Sequence, residues 1–184
     1  MSFSWTPHRF SGGALALDIA NSVILRGDAA RSTDRFAVPA QLADFAAAAG
    51  RYCGESELPL PLLPVPLENV ARFLALREAV DACFRDRAAG GSDPLLLANL
   101  LEAIAGNLRH AASPRALEAA AARSALRLTG ECLDGGGRLK VCANCGWLFL
   151  DRSRNRSRIW CDMTVCGNRA KASRHYRKVR EGGS

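Results

Sequence analysis

The chain has 184 residues, 48% of them hydrophobic, and a formal net charge of +7 at pH 7. This length suits one ordinary domain or one medium domain with a small appendage, and the hydrophobic share excludes a wholly disordered chain. No stretch reaches the roughly 20 apolar residues of a membrane-spanning helix, and the N-terminus lacks the pattern of a signal peptide, so we expect a cytoplasmic protein without a membrane partner.

The charge is divided unevenly along the chain. Residues 1–137 hold 13 Arg and 15 acidic residues, a net charge of −2, whereas residues 138–184 hold 12 basic and 3 acidic residues, a net charge of +9. The first part contains no Lys, so the preference for Arg is general and carries little information. The clustering of positive charge, in contrast, indicates a polyanionic partner for the C-terminal part.

The beginning of the chain is predicted to be helical. Residues 14–25 carry apolar side chains on one helical face, although a short strand fits part of the same run. Pro39 opens a further helix that Gly50 ends. Four prolines between residues 58 and 66 predict a loop.

Three longer helices follow in the predicted order. The first covers residues 67–89 and ends at two glycines. The second runs over 94–110 with Asp93 as its N-cap, and the third runs over 114–132 after a similar Ser-Pro start. Together these helices are enough to bury a core of their own.

After three glycines the pattern changes to that of a small metal-binding module. Cys142 and Cys145 are separated by two residues, Cys161 and Cys166 by four, and fifteen residues lie between the pairs. A short hairpin in those fifteen residues would return the chain, so that four thiolates surround one structural Zn²⁺ ion with no open position. Such a site contributes about 10–16 kcal/mol to folding, far more than the small core of this segment.

Other uses of the cysteines are weaker hypotheses. Two disulfides would need an oxidising compartment, an iron–sulfur cluster also uses four cysteines, and His175 could replace one ligand. The isolated Cys53, Cys83 and Cys132 are expected to be core residues.

The last segment is predicted to alternate a strand and a helix. The polar run 152–155 predicts a turn, and residues 156–161 alternate polar and apolar side chains as a half-exposed strand does. A helix is predicted from Val165 to about residue 180, with Cys166 in its first turn.

The sequence resembles a known family at this point. The residues that carry the resemblance are Cys142-Ala-Asn-Cys145, Phe149-Leu-Asp151, Arg158-Ile-Trp-Cys161-Asp-Met163 and Cys166-Gly-Asn-Arg169-Ala-Lys171, with Leu15-Ala-Leu-Asp18-Ile-Ala-Asn21 and Leu76-Arg77-Glu-Ala in the N-terminal part. They are similar to the CGNR zinc finger and to the ABATE domain that precedes it in stress-induced bacterial transcription regulators. The resemblance implies a treble-clef finger and a helical sensor domain.

Basic residues of the finger are candidate nucleic-acid contacts. The predicted set is Arg152, Arg154, Arg156, Arg158, Arg169, Lys171, Arg174, Arg177 and Lys178. On the predicted helix the cations spread over a broad side, opposite a narrow apolar face of Val165, Ala172, Tyr176 and Val179. We therefore expect the helix to dock on its own hairpin and to face a phosphate backbone, most simply of double-stranded DNA. Gly167 and Asn168 are expected to serve packing rather than contact, and Trp147 and Trp160 to lie in the core.

An effector site is predicted in the first domain. Asp18 and Asn21 are polar residues in an apolar helix, and Arg77 on another helix is a candidate partner. They form either a structural network or the floor of a pocket for an unknown small-molecule effector.

The sequence therefore predicts a mainly α protein: a helical domain over 1–137, followed by a small treble-clef-like zinc finger over 138–184 with a β-hairpin and a helix. The leading hypothesis is a DNA-binding transcription regulator whose helical domain senses a ligand. One alternative is an RNA- or ribosome-associated zinc module. The other is an enzyme with its pocket in the first domain, although no familiar catalytic motif is present.

Overall fold

The computed structural model describes residues 3–133 and 137–181, and over these ranges the chain is mainly helical, as predicted. The elements in chain order are α1 (Leu15–Ala20), β1 (Val23–Ile24), β2 (Thr33–Asp34), α2 (Pro39–Tyr52), α3 (Val70–Ala88), α4 (Pro94–His110), α5 (Leu117–Leu133), β3 (Leu139–Val141), β4 (Leu148–Leu150) and α6 (Asn168–Glu181). Within the described ranges, no helix combines the length and the apolar character that crossing a membrane requires.

The short helix α1 lies at the centre of the N-terminal core. All six of its residues are buried, and it packs against α3 and α5. Leu15 N–H donates to Glu55 Oε2 (2.7 Å), and Ala16 N–H donates to Ser124 Oγ (3.0 Å). The first N–H groups of a helix lack partners within it, so these distant side chains cap α1 and fix it among its neighbours.

The helix predicted over 14–25 ends at Ala20, and the alternative of a short strand applies to Val23–Ile24. The chain leaves the helix at Asn21, and β1 pairs antiparallel with β2, with Val23 opposite Asp34. Two physical reasons account for the early end. β-Branched Val and Ile favour an extended backbone, and the Asn21 side chain binds another strand, as described below.

The helices α3, α4 and α5 are packed neighbours, close to the predicted ranges. Asp93 caps α4 by accepting a backbone N–H, as predicted. α5 starts at Leu117, three residues later than the Pro114 start. The residues before it are held extended instead, since Leu63 N–H donates to the Arg115 carbonyl (2.8 Å) and Leu117 N–H donates to the Leu63 carbonyl (2.9 Å).

The hairpin of β3 and β4 joins two cores. Its register places Leu139 opposite Leu150. Side chains alternate between the faces of a strand, so Leu148 and Leu150 enter the main core, whereas Phe149 enters a second cluster with the finger cysteines. The hairpin that opens the C-terminal part is thus also a wall of the N-terminal core.

Candidate metal centre and nucleic-acid interface

Four sulfur atoms converge in the C-terminal part of the chain. The Sγ atoms of Cys142, Cys145, Cys161 and Cys166 all lie within 4.8 Å of one another. The distance is 3.6 Å from Cys145 to Cys161 and 3.7 Å from Cys161 to Cys166. A tetrahedral Zn²⁺ ion with bonds of about 2.3 Å holds its sulfurs about 3.8 Å apart. The four cysteines therefore form the predicted site of one structural zinc ion.

The thiols compete for protons when no metal is bound. Hydrogen bonds from Cys145 and Cys161 lower the pKa of Cys142, and the bond to Cys142 raises the pKa of Cys161 to about 12. Zinc removes this competition because it binds all four sulfurs as thiolates, so zinc affinity falls in acid.

The remaining cysteines are free thiols packed in or against the main core, as expected. Cys83 is buried, and Cys53 and Cys132 are half-buried. The side chain of His175, the alternative ligand, lies outside the described residues.

A tight turn presents the first two sulfurs. Gly146 N–H donates to the Cys142 carbonyl (2.9 Å), and Cys142 N–H donates to the Trp147 carbonyl (2.8 Å). Gly146 has a φ of +75°, which a residue with a side chain rarely adopts. The turn lies at the tip of the β3–β4 hairpin. The prediction that a hairpin separates the two cysteine pairs is therefore wrong, because the hairpin flanks the first pair.

A capped helical turn presents the last sulfur. The Asp162 side chain accepts hydrogen bonds from the backbone of Thr164 (2.8 Å) and Val165 (3.3 Å). The backbone carbonyl of Asp162 accepts a hydrogen bond from Cys166 N–H (2.9 Å). The turn Met163–Gly167 is π-helical and leads directly into α6, so the metal centre is rigidly connected to that helix.

Gly167 and Asn168 have the structural roles expected from the sequence. A Cβ atom on Gly167 would lie 2.6 Å from Met163 Sδ and 3.3 Å from Trp160 Cδ1. The Asn168 amide donates to the Thr164 carbonyl (2.8 Å). Both residues stabilise the turn that carries Cys166.

Lys140 and Asp151 organise the loop that bears four arginines, a role that the sequence analysis missed. Asp151 is fully buried and accepts from Lys140 Nζ (2.8 Å), Ser153 N–H (3.0 Å) and Arg158 N–H (2.8 Å). Burial by itself raises the pKa of Asp151, but these hydrogen bonds hold it well below the usual range. The carboxylate therefore stays ionised and anchors both ends of the loop.

The same lysine explains why the strand predicted over 156–161 is wrong. Lys140 Nζ donates to the carbonyls of Arg156 (2.5 Å) and Arg158 (3.0 Å), and the Ile159 carbonyl accepts from Ala143 N–H (3.1 Å). These backbone groups serve the loop and the cysteine turn, so no strand forms there.

The predicted contact residues whose side chains are described are all exposed: Arg152, Arg154, Arg156, Arg158, Arg169, Lys171 and Arg174. The side chains of Arg177 and Lys178 lie outside the described part of the chain. Arg158 is partly held in place, with its guanidinium bonded to the Cys161 carbonyl and 5.4 Å from the centroid of the Phe149 ring.

α6 does not bury the predicted apolar face. Val165, in the turn before it, is half-buried, but Ala172 is exposed and Tyr176 is 69% exposed; Val179 falls among the side chains not described. The helix thus presents its described side chains to solvent, apart from half-buried Ala170. The described Ala172 and Tyr176 therefore do not form the buried face by which the sequence pattern predicted docking on the hairpin.

Each of the three candidate effector residues has its own hydrogen-bond partners. Asp18 accepts from Gly12 N–H (2.8 Å). The Asn21 amide exchanges two hydrogen bonds with the backbone of Leu148 in β4 (2.9 Å each), and Arg77 forms a bidentate pair with Asp34 (2.7 and 2.8 Å). Each of them thus has a structural partner. Their role in binding an effector stays a prediction.

A basic cluster that the sequence analysis missed lies where the N-terminal segment meets the finger. His8 Nδ1 lies 2.9 Å from Asp162 Oδ2, and its ring lies 5.2 Å from that of Trp147. Partial burial and the neighbouring charges of Arg35 and Arg169 lower the pKa of Arg9. His8 and Asp162 are 154 residues apart, so no local spacing could have indicated this contact.

Comparison with known families gives two matches. Residues 13–145 match the ABATE family, described as a putative stress-induced transcription regulator, and residues 138–179 match the CGNR zinc finger. No curated protein and no solved structure matches the chain. The two matched segments overlap over residues 138–145, which hold β3 and the cysteine turn of the hairpin that contributes to both cores.

Proposed function

Because the chain belongs to the ABATE family and ends in a CGNR zinc finger, we propose that it is a transcription regulator that binds double-stranded DNA through α6 and the preceding loop. The matched families are those of a regulator and a zinc finger rather than of an enzyme.

The exposure of α6 is the observation that carries this proposal. A helix of 14 residues is marginal in water unless tertiary packing stabilises it. The described part of α6 buries almost no side chain, and Arg169, Lys171 and Arg174 point to solvent. A cationic helix whose described side chains are exposed in this way is suited to packing against an external anionic surface.

The dimensions of duplex DNA match such a helix. An α-helix with its side chains is about 10–12 Å wide, and the major groove of B-DNA is about 12 Å wide. The metal centre fixes the first turn of the helix, so the ordering that DNA must impose is confined to the rest of α6. Lys140 and Asp151 fix the loop arginines in the same way, which favours phosphate contacts from Arg154 and its neighbours.

We further propose that an effector acts through a cavity of about 550 Å³ between the N-terminal domain and the cysteine turn. Its walls include Arg26 and Asp81 on one side and Cys145 and Trp147 on the other. Arg85 crosses the gap, pairing with Asp81 and donating to the Gly146 carbonyl (3.1 Å). A small molecule bound there would touch the zinc turn directly, which gives ligand sensing a short route to the finger.

The DNA assignment is tested by the salt dependence of binding. Zinc-loaded chain and the variant R169Q/K171Q/R174Q are titrated into labelled duplex DNA and into RNA of the same sequence over a salt series. The matched control R51Q/R109Q/R115Q removes three exposed positive charges from the N-terminal domain. We expect the finger variant to flatten the slope of log K against log salt by about two to three units, at about 0.9 per phosphate contact, with zinc content unchanged.

Three results would contradict this proposal. Equal binding by the two variants would exclude α6 as the contact surface. Tighter binding to RNA than to duplex would favour the RNA-associated alternative. Turnover of a small molecule by the zinc-loaded chain would favour the enzyme alternative.

A further inference from the structure

The N-terminal segment is anchored so that Arg9 has a defined position. The indole N–H of Trp5 donates to the Gln41 carbonyl (2.8 Å), and its ring contacts that of Phe45 edge to face at 4.9 Å. Phe10 is buried in the main core. Arg9 therefore lies between two side chains that the core holds in place.

Two arginines lie against the same aromatic ring. The guanidinium carbon of Arg9 lies 4.6 Å from the centroid of the Phe3 ring, and that of Arg35 lies 4.4 Å from the same centroid. Arg35 comes directly after Asp34, the partner of Arg77. The Nε of Arg35 is buried without a hydrogen-bond partner among the described residues. The ring orients both groups but offers no negative charge.

The N-terminal segment also lies against the finger. The contact of His8 with Asp162 and Trp147 places the segment against the start of the finger helix. The charge of Arg169 acts on Arg9 from that helix. The cluster therefore draws on the N-terminal segment, on the turn after β2 and on α6.

No carboxylate of the described residues lies within 4.0 Å of the guanidinium groups of Arg9, Arg35 or Arg169. Elsewhere in the described chain, the half-buried Arg26 and the buried Arg77 have acidic partners. Like charges held together in a partly buried place repel one another, and a bound oxyanion would remove this repulsion by accepting hydrogen bonds from several guanidinium groups.

We propose that Arg9, Arg35 and Arg169 form a binding site for one backbone phosphate of the DNA that α6 contacts. This inference rests on the proposed function and extends it, because it makes the N-terminal domain part of the DNA interface. A phosphate bound between the N-terminal segment and the finger fixes their relative position. A structural change in the segment or in the finger therefore alters the affinity for the duplex.

The test compares two double variants of the full, zinc-loaded chain. R9Q/R35Q removes two charges from the proposed site, and R51Q/R115Q removes two exposed charges from elsewhere in the N-terminal domain. Binding to a labelled duplex of mixed sequence is measured by fluorescence anisotropy over a salt series. We expect R9Q/R35Q to flatten the slope by up to about one unit, the value for one phosphate contact, and to weaken binding by on the order of tenfold at low salt, whereas the control stays close to wild type.

Two further arms identify the site and the source of the phosphate. The charge-preserving variant R9K/R35K should keep the wild-type slope, and the effect of R169Q should be smaller in the R9Q/R35Q background, since the three groups share one phosphate. Equal behaviour of R9Q/R35Q and R51Q/R115Q, or a flattened slope in R9K/R35K, would overturn this inference and leave the role of α6 intact. Binding of inorganic phosphate that R9Q/R35Q abolishes, with duplex binding unchanged, would also overturn it. A wild-type chain that binds no duplex would overturn the proposed function as well.

Discussion

Asp18 is a carboxyl group enclosed in the middle of α1. Its side chain is 1% exposed, and Oδ2 has no hydrogen-bond partner among the described residues. Burial raises the pKa of Asp18 to about 7, against the opposing effect of the hydrogen bond from Gly12 N–H. The Gly12 carbonyl accepts from Leu150 N–H (2.9 Å), so the loop that satisfies Asp18 also contacts β4.

Asp18 should make the stability of the chain depend on pH. In the unfolded chain the carboxyl group ionises near pH 3.8, whereas in the folded chain it ionises near pH 7. Between these values the folded state binds the extra proton, so its contribution to stability falls as pH rises and levels off above about 7. The loss is up to about 1.4 kcal/mol per pH unit within this window.

The variant D18N lacks this titration. Urea unfolding of zinc-loaded wild type and D18N between pH 5.5 and 8.5 should show that the wild type loses stability relative to the variant up to about pH 7. The zinc site is common to both proteins, so its own pH dependence cancels in the difference. Parallel pH profiles would exclude a raised pKa for Asp18.

At the scale of elements, Asn21 connects the end of α1 to β4. Its amide both donates to and accepts from the backbone of Leu148 (2.9 Å each), as a neighbouring strand would. Asn21 is buried, so its removal leaves a buried N–H and a buried carbonyl without partners. Each such group costs about 1–3 kcal/mol.

We expect N21A to lower the free energy of unfolding by about 2–5 kcal/mol, measured by urea denaturation with zinc present. N144A, at an exposed position in the cysteine turn, is the matched control and should stay within about 0.5 kcal/mol of wild type. An N21A variant as stable as the control would mean that the amide bonds contribute nothing. It would also favour the prediction that Asn21 takes part in effector binding.

Local chemistry determined what the sequence could predict. The starts of α2 and α4 and the end of α3 depend on prolines, caps and glycines within a few residues, and the cysteine spacing specifies a metal by itself, so these features were predicted correctly. Gly50 was predicted to end α2, but the helix continues through it to Tyr52, because one glycine weakens a helix without necessarily ending it. The contact of Asn21 with Leu148 spans 127 residues and that of Lys140 with Asp151 spans 11. Side-chain bonds of this kind end α1 early and remove the strand predicted over 156–161, and no periodicity reveals them.

The pattern on α6 misled for a different reason. Its few apolar residues recur at helical spacing, which usually marks a buried face. Periodicity gives the side of a helix but not whether other residues cover it, and Ala172 and Tyr176 on the predicted face are exposed in the described part of the chain.

At the scale of the whole molecule, the zinc centre and the N-terminal core share one strand. Leu148 and Leu150 of β4 pack in the main core, while Phe149 packs with the zinc ligands. Ile24 of β1 also contacts the finger cluster. A metal that fixes the tip of this hairpin should therefore stabilise helices that hold no ligand.

Zinc removal should accordingly lower the stability of the entire chain rather than of the finger alone. Helical ellipticity arises mostly from the N-terminal part, where α2 to α5 lie, and zinc release is followed separately with a colorimetric chelator. We expect the two signals to change together in one transition, which moves to lower temperature when the metal is chelated or when C166S removes one ligand. Structural zinc contributes on the order of 10 kcal/mol in isolated fingers, so the shift should be large. If the N-terminal helices melted at the same temperature with and without zinc, β4 would not couple the two cores, and a ligand in the cavity between them would have no mechanical route to α6.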